Sequence, residues 1–310
     1  MINALNFVMK GVIALVKVLL IVLWNLLTFC LPTGLFKNPK AQDLNAELVL
    51  ITGAGSGLGR SLAVTFAKLG SSLVLWDINE ESVRAVADEV ASYGAHAYPY
   101  LCDCSDREAV FRMAEKVKKE VGNISVIVNN AGIVAGKSIM EIDPTKFEKV
   151  LMVNTVAHYW IVKSFLPWML ENNYGYILNV ASVAAYKGTA KAAAYCASKA
   201  AAVSFSDSLR TELLVMKKSG IHVTCVCPGW INTGMFKGIK FPFGPHSPDY
   251  VAKKAVDALL RNQFIAVIPG YFYYIMLLQS ILPTKAVDII GEFLGTNRAM
   301  DTFVGNQKSE

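Results

Sequence analysis

Residues 52–59 read Thr52-Gly53-Ala54-Gly55-Ser56-Gly57-Leu58-Gly59. They lie between a short apolar β run, 47–53, and a helix pattern over 57–69. This junction narrows the fold more than any other stretch of the chain. Glycines permit a tight turn and let a backbone approach a pyrophosphate closely. The helix that follows offers its free N–H groups to that anion. The spacing is G-x-x-x-G-x-G rather than the more widespread G-x-G-x-x-G, so the strand–turn–helix context carries the reading.

The rest of the middle repeats the strand–helix alternation. Strand-like runs fall at 72–77, 97–103, 124–132, 174–180 and 221–229. Helix patterns fall at 80–93, 106–121, 143–172 and 190–218. Strands separated by helices imply an α/β fold: one doubly wound, parallel-sheet Rossmann domain over 45–270, with its ligand crevice at the strand C-termini. The second strand ends in Asp77. A carboxylate there accepts hydrogen bonds from adenosine ribose hydroxyls and repels a 2′-phosphate, which favours NAD over NADP. Ile78 and Asn79 supply no positive charge for such a phosphate, and Arg60 is the one nearby residue that works against the reading.

The two ends differ from the middle. Hydrophobic residues make up 54% of the 310-residue chain and charged residues 17%, and the apolar excess sits at the termini. Residues 18–36 carry no charge, a length that can cross a bilayer if Lys17 reaches the headgroups. The run is too long for a cleaved signal and has no small-x-small cleavage site, so residues 1–36 read as a retained membrane anchor. Whether it spans the bilayer or lies in one leaflet is open, as is its orientation, because Lys10 and Lys17 are balanced by Lys37 and Lys40. Near the other end, residues 264–283 are also free of charge. Their first five residues read as a strand. The remainder, with residues 271–310, reads as an apolar extension whose tyrosines suit a membrane interface.

Net charge is +6. No basic run is interleaved with aromatics, so nucleic acid is not among the expected partners. A mild positive charge suits an anionic membrane surface or an anionic cofactor. The six cysteines lack zinc-site spacing and read as free thiols of a reducing compartment. No metal site is visible in the sequence. His158 lies one turn beyond Asn154 and reads as structural.

Thr52-Gly-x-x-x-Gly-x-Gly59, Asn129-Asn130-Ala131-Gly132, Ser182 and Tyr195-x-x-x-Lys199 occur in that order. With these residues the chain resembles the short-chain dehydrogenase/reductases over about residues 45–270. Within them it is similar to the membrane-anchored retinol and hydroxysteroid dehydrogenases, the epidermal retinol dehydrogenase group in particular. The closer likeness lies in the N-terminal anchor, "LVLWDIN" (73–79), "NNAGIVAGKS" (129–138), "YCASK" (195–199) and "TGMF" (233–236).

Tyr195 and Lys199, four apart on a helix, share a face. A neighbouring ammonium favours a phenolate and lowers the phenol's pKa, which is about 10 when unperturbed. Tyr195 is then expected to exchange a proton with the substrate oxygen as hydride moves to or from NAD. The resemblance implies that Lys199 also binds the nicotinamide ribose, that Ser182 holds the substrate oxygen, and that Asn154 holds a water relaying protons to Lys199. It places Thr52, Gly53, Ser56, Gly57, Leu58 and Gly59 at the pyrophosphate turn and Asp77 at the adenosine ribose. It places Asp103 at the adenine, Asn130, Ala131 and Gly132 at the adenosine and ribose side, and Pro228, Gly229 and Thr233 at the nicotinamide. The 233–249 segment, with Met235, Phe236, Ile239, Phe241 and Phe243, is expected to cover a lipophilic alcohol.

All-trans-retinol is the leading substrate. A hydroxysteroid of the 17-beta type or a long-chain alcohol comes second, and a lipid-droplet or membrane coat protein with a minor catalytic role third. The resemblance also implies a homodimer, and placement on the endoplasmic reticulum membrane or a lipid droplet with the catalytic domain facing the cytosol.

Overall fold

The computed structural model describes residues 9–10, 12–17, 19–20, 43–240 and 244–305. Two compact units are separable, Met1–Ala41 and Gln42–Glu310. In the first, the described residues between 9 and 20 are helical. Nearly all of the 18–36 run expected to anchor the chain lies outside the described residues. Among the described residues no helix is long and apolar enough to cross a membrane.

The second unit is a seven-stranded, wholly parallel sheet. Its strands are β1 (Leu48–Thr52), β2 (Ser72–Asp77), β3 (Ala97–Leu101), β4 (Val126–Asn129), β5 (Gly175–Val180), β6 (Ile221–Pro228) and β7 (Ile265–Ile268), in the spatial order 3-2-1-4-5-6-7. The strand order reverses between β1 and β4, and the crevice beyond the strand C-termini opens there.

Strand alternation sends successive side chains to opposite faces, and both faces are buried. Val49, Ile51, Leu73, Leu75, Val126 and Val128 pack under α1 (Gly57–Ala67), α2 (Glu80–Ala91) and α7 (Pro248–Leu260). Leu50, Val74, Trp76, Ile127 and Ile177 pack under α3 (Arg107–Glu120), α5 (Ala157–Asn172) and α6 (Ala193–Val215). This double burial explains why the strands read as continuous apolar runs.

Helix starts follow local chemistry. The Asn79 side chain caps α2 at Ser82 N (2.8 Å), and Asp106 caps α3 at Glu108 N and Ala109 N (2.9 and 3.1 Å). Helix α7 is absent from the sequence reading, although Ser247 followed by Pro248 is a start signal: Ser247 caps Tyr250 N and the proline takes a position where no N–H is needed.

The expected single helix over 143–172 is not continuous. It divides into α4 (Pro144–Leu151), a π-helical turn (Met152–Val156) and α5. Two short helices follow β7, α8 (Phe272–Ile281) and α9 (Thr284–Phe293).

A buried amide chain joins the sheet to α6. Asn129 Nδ2 donates to Asn179 Oδ1 (2.8 Å), Asn179 Nδ2 donates to Ser206 Oγ (2.9 Å), and Ser206 Oγ donates to Ala202 O (2.7 Å). Asn129, Asn179 and Ser206 are fully buried. Replacing Asn179 with Ala leaves two buried polar groups short of a partner, at a cost of about 2 kcal/mol. Urea unfolding of Asn179→Ala should show that loss without a change in denaturant slope. Unchanged stability would contradict the role given to the chain.

Candidate active site

The glycine turn at the end of β1 is clasped to the turn after β4. Thr52 Oγ1 accepts from Asn130 N (3.0 Å) and Ala131 N (3.1 Å). Asn130 Nδ2 donates back to Thr52 O (2.9 Å) and Gly53 O (3.1 Å). The approach is so close that a Cβ on Gly53 would stand 2.9 Å from Ala131 Cα, and one on Gly59 only 1.9 Å from Gly53 O. Ser56, at the start of α1, makes no side-chain cap, and the first turn of that helix carries no acid. Its N–H groups and positive dipole end are therefore available to an anion.

Asp77 Oδ2 accepts from Gly55 N (2.8 Å) and Oδ1 from Asn79 N (2.9 Å), which fixes the carboxylate at the lip of the same turn. Arg60, the residue that worked against the NAD reading, is turned away. Its guanidinium meets the carboxylate of Glu89 at 2.6 and 2.5 Å. Asp103 lies two residues past β3, its Oδ1 accepting from Ser105 N and Oγ, with Lys149 Nζ 3.9 Å from Oδ2. Thr233 stands over Gly57, where a Cβ would come within 3.0 Å of it. Turn, carboxylate and Thr233 thus form one continuous cradle whose shape and charge fit a dinucleotide.

Ser182 follows β5, Asn154 sits in the π turn, and Tyr195 and Lys199 lie on the first turns of α6. All four are buried. Lys199 Nζ donates to Val180 O (2.8 Å) and lies 5.7 Å from the centre of the Tyr195 ring. Ser182 Oγ accepts from Ala184 N (3.1 Å) and donates to Pro228 O (3.4 Å). Gly132 borders both Asn154 and Lys199: a Cβ on it would lie 3.5 Å from Asn154 Oδ1 and 3.6 Å from Lys199 Nζ.

Asn154 accounts for the broken helix. Its Oδ1 accepts from Ile133 N (2.8 Å), and its Nδ2 donates to Ile133 O (3.0 Å) and Ser198 Oγ (2.9 Å). Thr155 Oγ1 adds a bond to Ser198 O (2.6 Å). The turn widens to place the amide among these partners, a local device common at functional sites. Ser198 escaped the sequence reading. Its only signal was its place three residues after Tyr195, on the same helix face.

One expectation is corrected. Lys199 was expected to lower the tyrosine's pKa, but burial pushes the Tyr195 hydroxyl up to about 12, with Ser182 pulling the other way. Burial also pushes the Lys199 ammonium down to about 8. Burial is the largest influence on both groups, because removal from water disfavours each charged form. His158 is buried with neither ring nitrogen bonded, and burial drives it to about 3, so it stays neutral.

The five described cysteines are free, and Cys102, Cys104, Cys225 and Cys227 are buried. Phe236 stands edge-on to Tyr195, ring centres 5.3 Å apart. Phe241 and Phe243 lie outside the described residues.

A buried lysine held near 8 in the fold, against about 10.4 when unfolded, penalises folding while it is charged. The penalty is full below about pH 8 and fades as pH rises towards 10.4. Lys199→Met should therefore gain up to about 3 kcal/mol of stability at pH 7 and far less at pH 10. Urea titrations at the two pH values measure it, and an equal change at both would contradict the assignment.

Comparison with known proteins agrees with this geometry. A family model described as short chain dehydrogenase matches residues 47–241. Epidermal retinol dehydrogenase 2 of Mus musculus is 43% identical over 302 residues, covering 94% of this chain and 97% of that protein. Short-chain dehydrogenase/reductase family 16C member 6 of Bos taurus is 40% identical over 278 residues, covering 87% of each. A short chain dehydrogenase/reductase from Burkholderia phymatum, crystallised in complex with NAD, superposes with a TM-score of 0.71 at 26% identity, covering 77% of this chain and 94% of that one.

Proposed function

This chain belongs to the short chain dehydrogenase family, and we propose that it passes hydride between NAD and the alcohol or carbonyl of a lipophilic substrate, all-trans-retinol first. The observation that carries the reaction is the buried cluster of Ser182, Tyr195, Lys199 and Asn154 beside the glycine cradle. Bound there, oxidised NAD supplies the hydride acceptor. Ser182 hydrogen-bonds the substrate oxygen and holds it at the Tyr195 hydroxyl. As its phenolate, Tyr195 takes the alcohol's hydroxyl proton in oxidation, and it returns that proton to the carbonyl oxygen in reduction. Lys199 stabilises the phenolate, and Asn154 keeps the Ile133 loop and α6 in register around it.

Asp77 supports NAD over NADP, because its fixed carboxylate accepts from ribose hydroxyls and repels a 2′-phosphate. The bond between Arg60 and Glu89 removes the competing cation. Retinol is favoured by likeness to an epidermal retinol dehydrogenase over nearly the whole chain, and by the aromatic Phe236 above Tyr195. Hydroxysteroids and long-chain alcohols share the same chemistry and form the second reading.

A membrane setting, at the endoplasmic reticulum or a lipid droplet with the catalytic unit in the cytosol, is supported by the uncharged 18–36 run. It is also supported by exposed apolar side chains on α8 (Leu277, Leu278, Ile281) and α9 (Ile289, Phe293). Such surface on a monomer marks an interaction site. A lipophilic alcohol would reach the pocket from that surface. A homodimer through α5 and α6 completes the proposal by analogy with the family.

The test is NADH formation by membranes holding the full chain, with all-trans-retinol and a hydroxysteroid compared, and NAD against NADP. Retinol turnover with NAD, at least tenfold over NADP, is expected. Asp77→Ala should raise the KM for NAD about tenfold, as expected for loss of one charge-assisted hydrogen bond, and lower that for NADP, because the carboxylate no longer repels the 2′-phosphate. Steroid turnover alone would move the substrate to the second reading. No turnover of either would contradict the proposal.

A further inference from the structure

The chain returns to the active site after α9. Residues 296–304 run between two loops that border Tyr195. On one side, Ala190 N donates to Asn297 O (3.4 Å) and Lys191 Nζ pairs with Asp301 Oδ1 (2.9 Å), just ahead of α6. On the other, Lys240 N donates to Ala299 O (3.2 Å) and Val304 N to Lys237 O (2.9 Å), in the segment after β6. A Cβ on Gly238, whose φ is +89°, would stand 2.3 Å from Thr302 O, so these backbones nearly touch. Ala299 and Met300 are buried.

At the end of this strap Phe303 reaches a third loop. Its ring stands close against the backbone at Gly136, where a Cβ would come within 2.1 Å of it. Gly136 also has a φ of +63°, so backbone conformation and space both call for glycine. The Phe303 ring centre is 6.4 Å from that of Phe236, at 61°, and Phe236 is 5.3 Å from Tyr195, at 83°. Both spacings and angles are those of favourable edge-to-face pairs. The three rings form one wall from the proton-transferring hydroxyl outward.

We propose that Phe303, through Phe236, positions an apolar wall that selects long, flat apolar alcohols over small ones. Phe303 lies well beyond the 47–241 span matched by the family model, in the C-terminal strap. The inference rests on the proposed alcohol chemistry for its substrate class, but the strap itself is read directly from the contacts above. A small alcohol reacts at Tyr195 without reaching the outer rings. A long one gains about fourfold in binding for each methylene it buries against them, and loses that gain when Phe236 is free to swing away.

The experiment uses the full chain and the variants Phe303→Ala, Phe303→Tyr and Asp301→Asn. First, hydrogen exchange on the cofactor-free protein reads the strap alone. In Phe303→Ala, the amides of Lys237, Ile239 and Val304 should exchange about tenfold faster, and Asp301→Asn should move them in the same direction. Second, kcat/KM is measured for the longest apolar alcohol the protein oxidises and for cyclohexanol. Phe303→Ala should lower the ratio of the two about tenfold, through the KM of the long alcohol, with kcat for cyclohexanol within twofold of the parent. Phe303→Tyr, which keeps the ring, should restore the ratio. Unchanged exchange, or an equal loss on both alcohols, would overturn the inference. A parent chain that oxidises no apolar alcohol would instead overturn the proposed function, and the strap would then stand or fall on the exchange data.

Discussion

Five hydrogen bonds between the β1 and β4 turns hold the site together: Thr52 Oγ1 to Val128 O, Asn130 N and Ala131 N to Thr52 Oγ1, and Asn130 Nδ2 to Thr52 O and Gly53 O. They bridge the point where the strand order reverses, so they set the width of the crevice. The glycine turn can follow Asn130 this closely only because Gly53 and Gly59 carry no Cβ. From that clasp the chain continues through Ala131 and Gly132 to Ile133. The Asn154 amide takes hold of Ile133 and passes the alignment to Ser198 on the helix that carries Tyr195 and Lys199. Cradle and acid–base pair are thus parts of one hydrogen-bonded frame.

That frame explains what could be read in advance. The strands were legible because a parallel sheet covered on both faces demands unbroken apolar runs. The glycine turn and the Tyr195–Lys199 pair were each ambiguous alone; the strand–turn–helix context and the order of the motifs along the chain gave them their reading. The π turn was not legible, since a helix-period pattern does not show where a turn widens and the partners of Asn154, Ile133 and Ser198, are both distant in sequence. Helix α7 carried a local signal at Ser247-Pro248 and was simply missed. The ionisation of Tyr195 was misjudged because sequence shows that an ammonium is near and not how completely both groups lose water. Phe303 had no local signal at all, being joined to Tyr195 only by the return of the chain.

Lys199 illustrates the cost of the arrangement. A buried ammonium held by one protein carbonyl is a poor choice for stability, and the sheet and helices around it must offset that. Sites that bind and react commonly retain such strain. The apolar outer faces of α8 and α9 show the same trade-off at larger scale: side chains such as Phe293 are left exposed where a simple soluble domain would bury or replace them.

The most direct test of the account follows the hydrogen atom itself. A lipophilic alcohol carrying deuterium at its carbinol carbon is supplied with NAD to membranes holding the chain, and the cofactor is recovered for mass spectrometry. One deuterium in the NADH formed by the parent chain, and none above background with Tyr195→Phe, is the predicted result. Unlabelled cofactor, or equal transfer by the variant, would contradict the claim that this crevice passes hydride to NAD with Tyr195 managing the proton.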